Sequence, residues 1–485
     1  MRQLRIATLL VLLCISSSVN AQFATGWNNG GGNPGRNGYS NVSGPTNNNV
    51  FWQANATGIF GTPAFIEGNR LVTMRFFSMT YAPVVCYDLA TGAQLWSVDV
   101  TNNNGRSLPM GLRNQQVYVV RYTESSNDTL YALDVNTGSW VWTSNVTVAP
   151  YITTTATFDS DGDLFIEGNQ KIYKINHQTG QMVWQLNTIP MASGSGEMSI
   201  YMPTNTGYTF EQIGGVPYVW ATDLSTGTKK YSHVVNSLGG GGPIPQCPLM
   251  VGPNGVIYVQ LQNDNVSAFL DNGTALSLLW STAITGDAPF SHMCVGADGS
   301  VYVPSNGKIF RLDPQMGVVL DSSITIAASG VFSPRLSAAG NGMVYATNSA
   351  NTVYAFDNNL QLMWSDPLPG NNTSGASLSP NGLMAVTGTN TIRVYTSANT
   401  GNPETLNELQ VLAYPNPATE VVYISGSMEL IGKSYRLYDG VGRIVSEGIL
   451  GMGESSIPLD HVEAGVYFLH VESTDIKTKI IRQSY

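Results

Sequence analysis

The sequence predicts an all-β chain: an eight-bladed β-propeller closed by an N-terminal strand and followed by a small Ig-like β-sandwich. Three observations predict it. A phrase of aromatic residue, Asp, Thr-Gly and Trp recurs down the chain, as in "CYDLATGAQLW" (Cys86 to Trp96) and "YALDVNTGSWVW" (Tyr131 to Trp142). Only 11% of the 485 residues are charged while 51 are Gly and 23 are Tyr, a turn-rich and β-rich composition set against roughly a quarter charged in an average soluble protein. The recurrence stops at Thr396, and the last eighty or so residues have a different texture.

From the N-terminus, Arg2 and Arg5 precede the apolar run "IATLLVLLCI" and polar "SSSVNA", in which Val19 and Ala21 fit the small-residue cleavage rule. Residues 1–21 read as a signal peptide. The run is short of the ~20 apolar residues a membrane span needs, and Leu13 before Cys14 does not fit a lipoprotein signal. No later segment reads as a transmembrane span. The formal charge of −10 becomes −12 without Arg2 and Arg5, so nucleic acid, which needs a concentrated basic face, is not an expected partner. Cys86, Cys247 and Cys294 remain, widely spaced and odd in number, which gives neither a disulfide framework nor a metal signature. Cys86 takes the slot that Ala132 fills in the twin phrase, and an inert buried thiol is expected there.

Aligned on the Asp or its equivalent, the copies fall at Asp88, Asp134, Asn176, Asp223, Asp271, Asp313 and Asp357, spaced by 46, 42, 47, 48, 42 and 44 residues. Such a period marks one supersecondary unit repeated in series. Each copy ends on a large residue (Trp96, Trp142, Trp184, Tyr231, Trp280, Leu320, Trp364) and begins with a turn and strand such as "RNQQVYVV" or "PNGVIYVQ". The unit reads as strand, tight turn, strand, "YALD" strand, Thr-Gly turn and a short outer strand ending in Trp, which is the blade of a propeller. The Trp is expected to fill the wedge between neighbouring blades. Seven units run from about Gly58 to Trp364, and "SPNGLMAVTGTNTIRVYT" (Ser379 to Thr396) supplies the inner strands of an eighth that lacks its Trp. That Trp is found in "NVFWQA", where Trp52 stands 44 residues before Trp96. The N-terminal strand is expected to complete the last blade and to remove its exposed sheet edge.

The expected domains are therefore a lead-in at 22–49, the propeller at 50–396, a linker of small and polar residues at 397–408, and a sandwich at 409–485. The repeated phrase resembles the PQQ-like (quinoprotein-like) β-propeller repeat, and "GGNPGRNGYSNVSGP" (Gly31 to Pro45) resembles the segment that often precedes the first blade of that family. The tail resembles the type A C-terminal sorting domain of the type IX secretion system of Bacteroidota. The resemblance rests on Tyr414, Pro415, Asn416 and Pro417, on Leu437, Tyr438 and Asp439 with Gly442 and Arg443, on Gly465, Val466 and Tyr467, and on Lys477 and Lys479. It implies export to the periplasm, then across the outer membrane by the type IX machinery, with the passenger left on the surface or released.

Little chemistry is legible. Quinone-dependent dehydrogenases, the nearest enzymatic analogy, hold their cofactor with adjacent cysteines or a dense polar and aromatic clamp; no two cysteines are adjacent here, and no cofactor is expected. Asp159, Asp161 and Asp163 alternate in "DSDGD", but the later bidentate Glu and helix of an EF-hand are absent, and turn chemistry is the expected role rather than a metal site. Catalytic residues are not identified, and an enzyme is the less favoured reading. The loops entering the innermost strands ("NNNGRSLP", "MASGSGEMS", "SLGGGGPIPQCP", "TGDAPFSHM", "SGVFSPRLS") are expected to ring the channel mouth and to offer Arg106, Glu197, Gln246, His292 and Arg335 as a ligand-binding rim. The leading expectation is a monomeric binding or scaffold module for a protein or glycan. An extracellular polysaccharide lyase or oxidoreductase with its site in the channel mouth is the alternative. A periplasmic assembly factor resembling the propeller lipoprotein of the outer-membrane insertion machinery is disfavoured by the missing lipid site and by the export tail.

Overall fold

The computed structural model describes residues 26–55, 64–76, 81–102, 104–123, 128–148, 155–168, 170–188, 197–235, 249–260, 265–284, 292–326, 335–347, 352–369, 374–388, 391–398, 412–414, 416–425, 433–450, 454–472 and 477–483. The described residues are all-β, with one short 3-10 turn at Met202–Thr204 and no helix long and apolar enough to cross a membrane.

Between residues 26 and 396 the strands form eight sheets, antiparallel but for two short parallel edge pairs and taken in chain order as sheets 1 to 8. Sheet 3 shows the plain unit: Thr157–Phe158, Leu164–Gly168, Lys171–Ile175 and Met182–Asn187 pair in sequence order. The first three strands of each sheet are mostly buried and the fourth alternates with exposed residues, as for Lys171–Ile175 against Met182–Asn187. Three short N-terminal strands are incorporated into this array. β1 (Gly26–Trp27) pairs with Ile66 and Glu67 at the edge of sheet 1, β2 (Tyr39–Ser40) runs parallel to Ala338 and Ala339 in sheet 7, and β3 (Val50–Asn55) is the outer strand of sheet 8, with Trp52 opposite Val394 and Ala54 opposite Ile392. Trp52 is 3% exposed and lies in one apolar cluster with Ile392 and, at its margin, Leu383.

The recurring phrase has a mechanical explanation. The Asp carboxylate accepts the backbone N–H groups two and three residues on and the Thr hydroxyl, as Asp134 Oδ1 does from Asn136 (3.0 Å) and Thr137 (2.9 and 3.0 Å), the Asx-type closure that short polar side chains provide. The turn glycine then receives the indole of the preceding sheet. A Cβ on Gly138 would sit 2.8 Å from the Trp96 ring, and one on Gly180 2.5 Å from Trp142. The same indole donates to the carbonyl of the residue after the Asp: Trp96 Nε1 to Val135 O (2.8 Å), Trp142 to His177 O (2.7 Å), Trp184 to Leu224 O (2.9 Å) and Trp280 to Pro314 O (3.0 Å). Each of these four seams thus joins an aromatic ring, a bare glycine and a polar tip that is satisfied.

Some details differ from the sequence reading. The Trp stands inside the fourth strand rather than at its end, as Trp142 does in Trp140–Val148. In sheet 5 the cap is shared: within the turn Asp271 Oδ1 accepts Gly273 N (2.7 Å), while Asn272 Oδ1 accepts from Thr274 and Ala275. Asp271 also reaches sheet 4, where it accepts from the hydroxyls of Tyr208 (2.6 Å) and Tyr231. Tyr231 therefore keeps the seam by a phenol–carboxylate bond where the other copies use indole and carbonyl. Burial first, and then the Asp271 bond, raise both phenols well above the usual tyrosine range, so the protons stay on the tyrosines. Trp364 Nε1 has no partner among the described residues. The equivalent acceptor would follow the third strand of sheet 8, where residues 399–411, which include Thr400 and Gly401, lie outside the described residues.

The tail has two sheets, Leu412–Tyr414, Val421–Ser425 and Glu454–Pro458 in one and Ile444–Ile449, Ser434–Tyr438, Gly465–Val471 and Lys477–Arg482 in the other. Val422, Ile457, Leu437, Leu469 and Ile480 make up the core shared between them.

Candidate functional site

The N-terminal run of Gly and Asn determines what lies at the centre of the array. With few side chains of its own it presents bare amides, and between residues 26 and 46 it bonds to all eight sheets. β1 joins sheet 1. Asn28 O accepts Leu112 N of sheet 2 (3.0 Å), and Gly30 N donates to Thr155 Oγ1 ahead of sheet 3 (3.0 Å). Pro34 O accepts Ile200 N (2.8 Å), Gly35 O accepts Val251 N (2.7 Å), Asn37 O accepts Val295 N (2.9 Å) and Gly38 O accepts Ala338 N (2.8 Å), which continues the series through sheets 4, 5, 6 and 7. Thr46 N reaches Ser397 Oγ (3.1 Å) at the end of sheet 8. Only glycine passes so close: a Cβ on Gly35 would stand 2.4 Å from Val251 O. The segment forms a strap across the first strands, and those strands are also tied to one another, Ala156 N to Met110 O (2.7 Å) and Ser199 Oγ to Leu249 O (2.5 Å) among them.

Arg36 is the strap's only charge. It is 2% exposed, sits at φ 53°, and its guanidinium reaches Thr157 Oγ1 (3.0 Å), Thr155 Oγ1 (2.8 Å) and Glu197 Oε1 (2.5 Å). Glu197, itself 5% exposed, also accepts from Thr155 N (2.5 Å). Glu197 and Arg36 thus form a buried pair whose carboxylate oxygen also takes backbone and hydroxyl donors from Thr155.

Of the five residues expected on the rim, the structure brings Glu197, His292 and Arg335 toward this centre. His292 and Arg335 bridge one another between sheets 6 and 7 and line a narrow cavity with Arg36, while Glu197 joins through its pair with Arg36. Arg106 stands apart in sheet 2, where its guanidinium lies 4.9 Å from the Tyr122 ring centre and Ala82 pairs beside it. Gln246 lies outside the described residues. Arg106, Glu197 and Arg335 are each buried, at 5, 5 and 6% exposed, rather than displayed on a rim; His292 is partly exposed. Arg36 was missed by sequence reasoning. The available signal was its isolation: it is the only charged residue between 22 and 66, and Glu197 is the only Asp, Glu, Lys or Arg between 175 and 210.

The other candidates have structural partners. Asp159 and Asp163 face Lys174 Nζ at 2.7 and 3.7 Å, Asp163 accepts from His177, and Asp159 Oδ1 caps the turn through Asp161 N (3.1 Å) and Asp163 N (2.9 Å). An ammonium thus holds the position a cation would take. Cys86 and Cys294 are buried in sheets 1 and 6, and burial pushes both thiols up; Cys247 lies outside the described residues. The cavity beside Arg36 is wide enough for about one water molecule, so a planar multi-ring quinone does not fit there, and the two buried thiols are far apart in the sheet order.

In the tail, Asn416 Nδ2 donates to Lys479 O (2.6 Å) and its Oδ1 accepts Ile481 N (2.8 Å), which staples the first strand to the last. Asp439 Oδ1 accepts from Val441 and Arg443 and caps the turn that ends on Gly442 (φ 85°); the Arg443 N–H foremost holds that carboxyl below its usual range. Tyr438 ends the strand before this turn, Gly465 begins the one that carries buried Tyr467, and Tyr467 Oη donates to Glu463 O (2.6 Å). Tyr414 pairs with Tyr423, Pro417 follows Asn416, and Pro415 lies outside the described residues.

Repeated four-stranded sheets with Trp-to-turn seams, followed by a sandwich with these turn staples, define a β-propeller of PQQ-like repeats carrying a type IX secretion sorting domain. The chain belongs to the repeat family whose model, described as outer membrane protein assembly factor BamB, matches residues 41–323; a second model, the secretion system C-terminal sorting domain, matches residues 412–483. Among solved structures the chain is similar to BamB from Moraxella catarrhalis (14% identity, TM-score 0.54, 71% of this chain and 99% of that one). It is also similar to quinohemoprotein alcohol dehydrogenase from Comamonas testosteroni (13%, 0.59, 83% and 84%). These likenesses establish the fold. No curated protein matches the chain.

Proposed function

We propose that the eight sheets are the blades of one propeller, spanning residues 50–396 and closed by β3, and that the exported chain serves as a binding or scaffold module for a protein or glycan. The seam between sheets 8 and 1 supports closure: Trp52 Nε1 donates to Leu89 O (2.7 Å), and a Cβ on Gly92 would meet its ring at 2.8 Å, the contact made at four other seams. The observation that carries the binding reading is the strap. It fills the centre, where an enzymatic cleft would lie, and takes the buried charges Arg36 and Glu197 into its own support. We place recognition on the face where the first strands begin, around His292, with Arg106, Glu197 and Arg335 supporting it and Gln246, outside the described residues, kept as a candidate from the sequence. The sandwich from 409, after the linker 397–408, directs the passenger to the type IX machinery, preceded by removal of residues 1–21.

Two outcomes check this. Culture fractionation with intact-mass measurement should recover the protein from the surface or the medium; a periplasmic species ending at Tyr485 contradicts export. Once a partner is captured, the combined substitution of Arg106, His292 and Arg335 by alanine, in protein shown to remain folded, should weaken binding at least about tenfold, the loss of roughly 1.4 kcal/mol. Unchanged affinity removes the face from consideration.

A further inference from the structure

We propose that the cavity at the centre of the strap is a halide site that ties the two ends of the ring together. Its wall brings Trp27 of sheet 1, Arg36 of the strap, His292 of sheet 6, Arg335 of sheet 7 and Ser374 ahead of sheet 8 around one space. Trp27 is 2% exposed, and its Nε1 is a buried donor with no hydrogen-bond partner among the described residues. A buried donor left in that condition is costly, and the surrounding glycines supply no side chain that could accept from it. A Cβ on Gly32 would touch the Trp27 ring at 2.9 Å and one on Gly30 would lie 2.9 Å from Thr155 Oγ1, so the bare backbone is what leaves the space open.

The lining chemistry selects the occupant. Two guanidinium residues and an imidazole line the cavity, and no carboxylate does among the described residues. The neighbouring carboxylate, Glu197, is committed to Arg36 and Thr155. A site rich in donors and in positive charge, enclosed by sheets of low polarity, favours an anion over a neutral molecule. Room for about one water molecule limits that anion to a monatomic one and excludes phosphate, sulfate and carboxylates. Chloride fits both conditions. Bound there, it accepts from Trp27 Nε1 and draws sheet 1 toward sheets 6 and 7, so binding to the folded form adds to stability by mass action.

The test uses the whole exported protein. Replacing gluconate by chloride at constant ionic strength should raise the melting temperature by a few degrees, and bromide should do the same. Trp27→Phe, which keeps the ring and removes the N–H, should lose that halide dependence while still folding. Crystals grown in bromide should show an anomalous peak within hydrogen-bonding distance of Trp27 Nε1. Absence of halide dependence in the unaltered protein, equal dependence in Trp27→Phe, or a water at that position with bromide elsewhere overturns the proposal.

Discussion

Replacing Glu197 by alanine is expected to cost about 3–5 kcal/mol of folding stability, because it leaves the Arg36 guanidinium buried without its carboxylate. The effect follows from position. Arg36 is 2% exposed and held at a positive φ, a backbone conformation unfavourable for a side-chain-bearing residue. What keeps it there is the set of bonds to Thr155, Thr157 and Glu197. Denaturant unfolding followed by tryptophan fluorescence measures the loss. The paired substitution of Arg36 and Glu197 by leucine should recover a substantial part of it, since removing both charges removes the desolvation penalty that removing one exposes. Equal losses in the single and double variants would mean that the pair does not hold the strap.

Trp52→Ala is expected to cost about 3–5 kcal/mol, the range for emptying a buried aromatic site, although the residue lies far in sequence from both elements it joins. The indole packs between Ile392 of sheet 8 and Leu89 of sheet 1, and its N–H bonds the latter's carbonyl. The control is Trp140, 51% exposed on the outer strand of sheet 2, where the same substitution should cost no more than about 1 kcal/mol, the value of its edge contact with Tyr131. Equilibrium unfolding of both variants reads the difference directly.

Much of the propeller was legible in the sequence because each repeat writes its seam in side chains. Asp caps a turn, the turn needs a glycine, and the glycine seats the preceding Trp, so three letters recur together at blade spacing. The exceptions are instructive. Asp271 aligns with the repeat yet serves Tyr231, because the copy before it has a phenol in place of an indole; a one-residue shift in the capping position is invisible to spacing alone. The strap was legible only as a glycine-rich lead-in, since its circuit is built from backbone amides that carry no side-chain pattern. The same limit concealed the fate of the rim. Arg106, Glu197 and Arg335 stand near the starts of strands, but whether a loop residue points outward or under a crossing segment depends on what crosses it. Arg36 and Glu197, each a lone charge in a long uncharged stretch, were the one readable sign that something buried was being paired.

In the tail the motif residues proved to be structural staples: Asn416 ties the first strand to the last and Asp439 closes a turn. These residues therefore hold the sandwich together, and the sorting-domain model matches residues 412–483 as a unit.

The central claim is that the N-terminal segment is an integral part of the ring, strapping its centre and supplying its last strand. Hydrogen–deuterium exchange of the exported protein, resolved to peptides, tests it most directly. Residues 26–46 and 50–55 should exchange as slowly as residues 391–395, the strand to which β3 is paired. Complete exchange of the N-terminal peptides within seconds, while 391–395 stays protected, would contradict it.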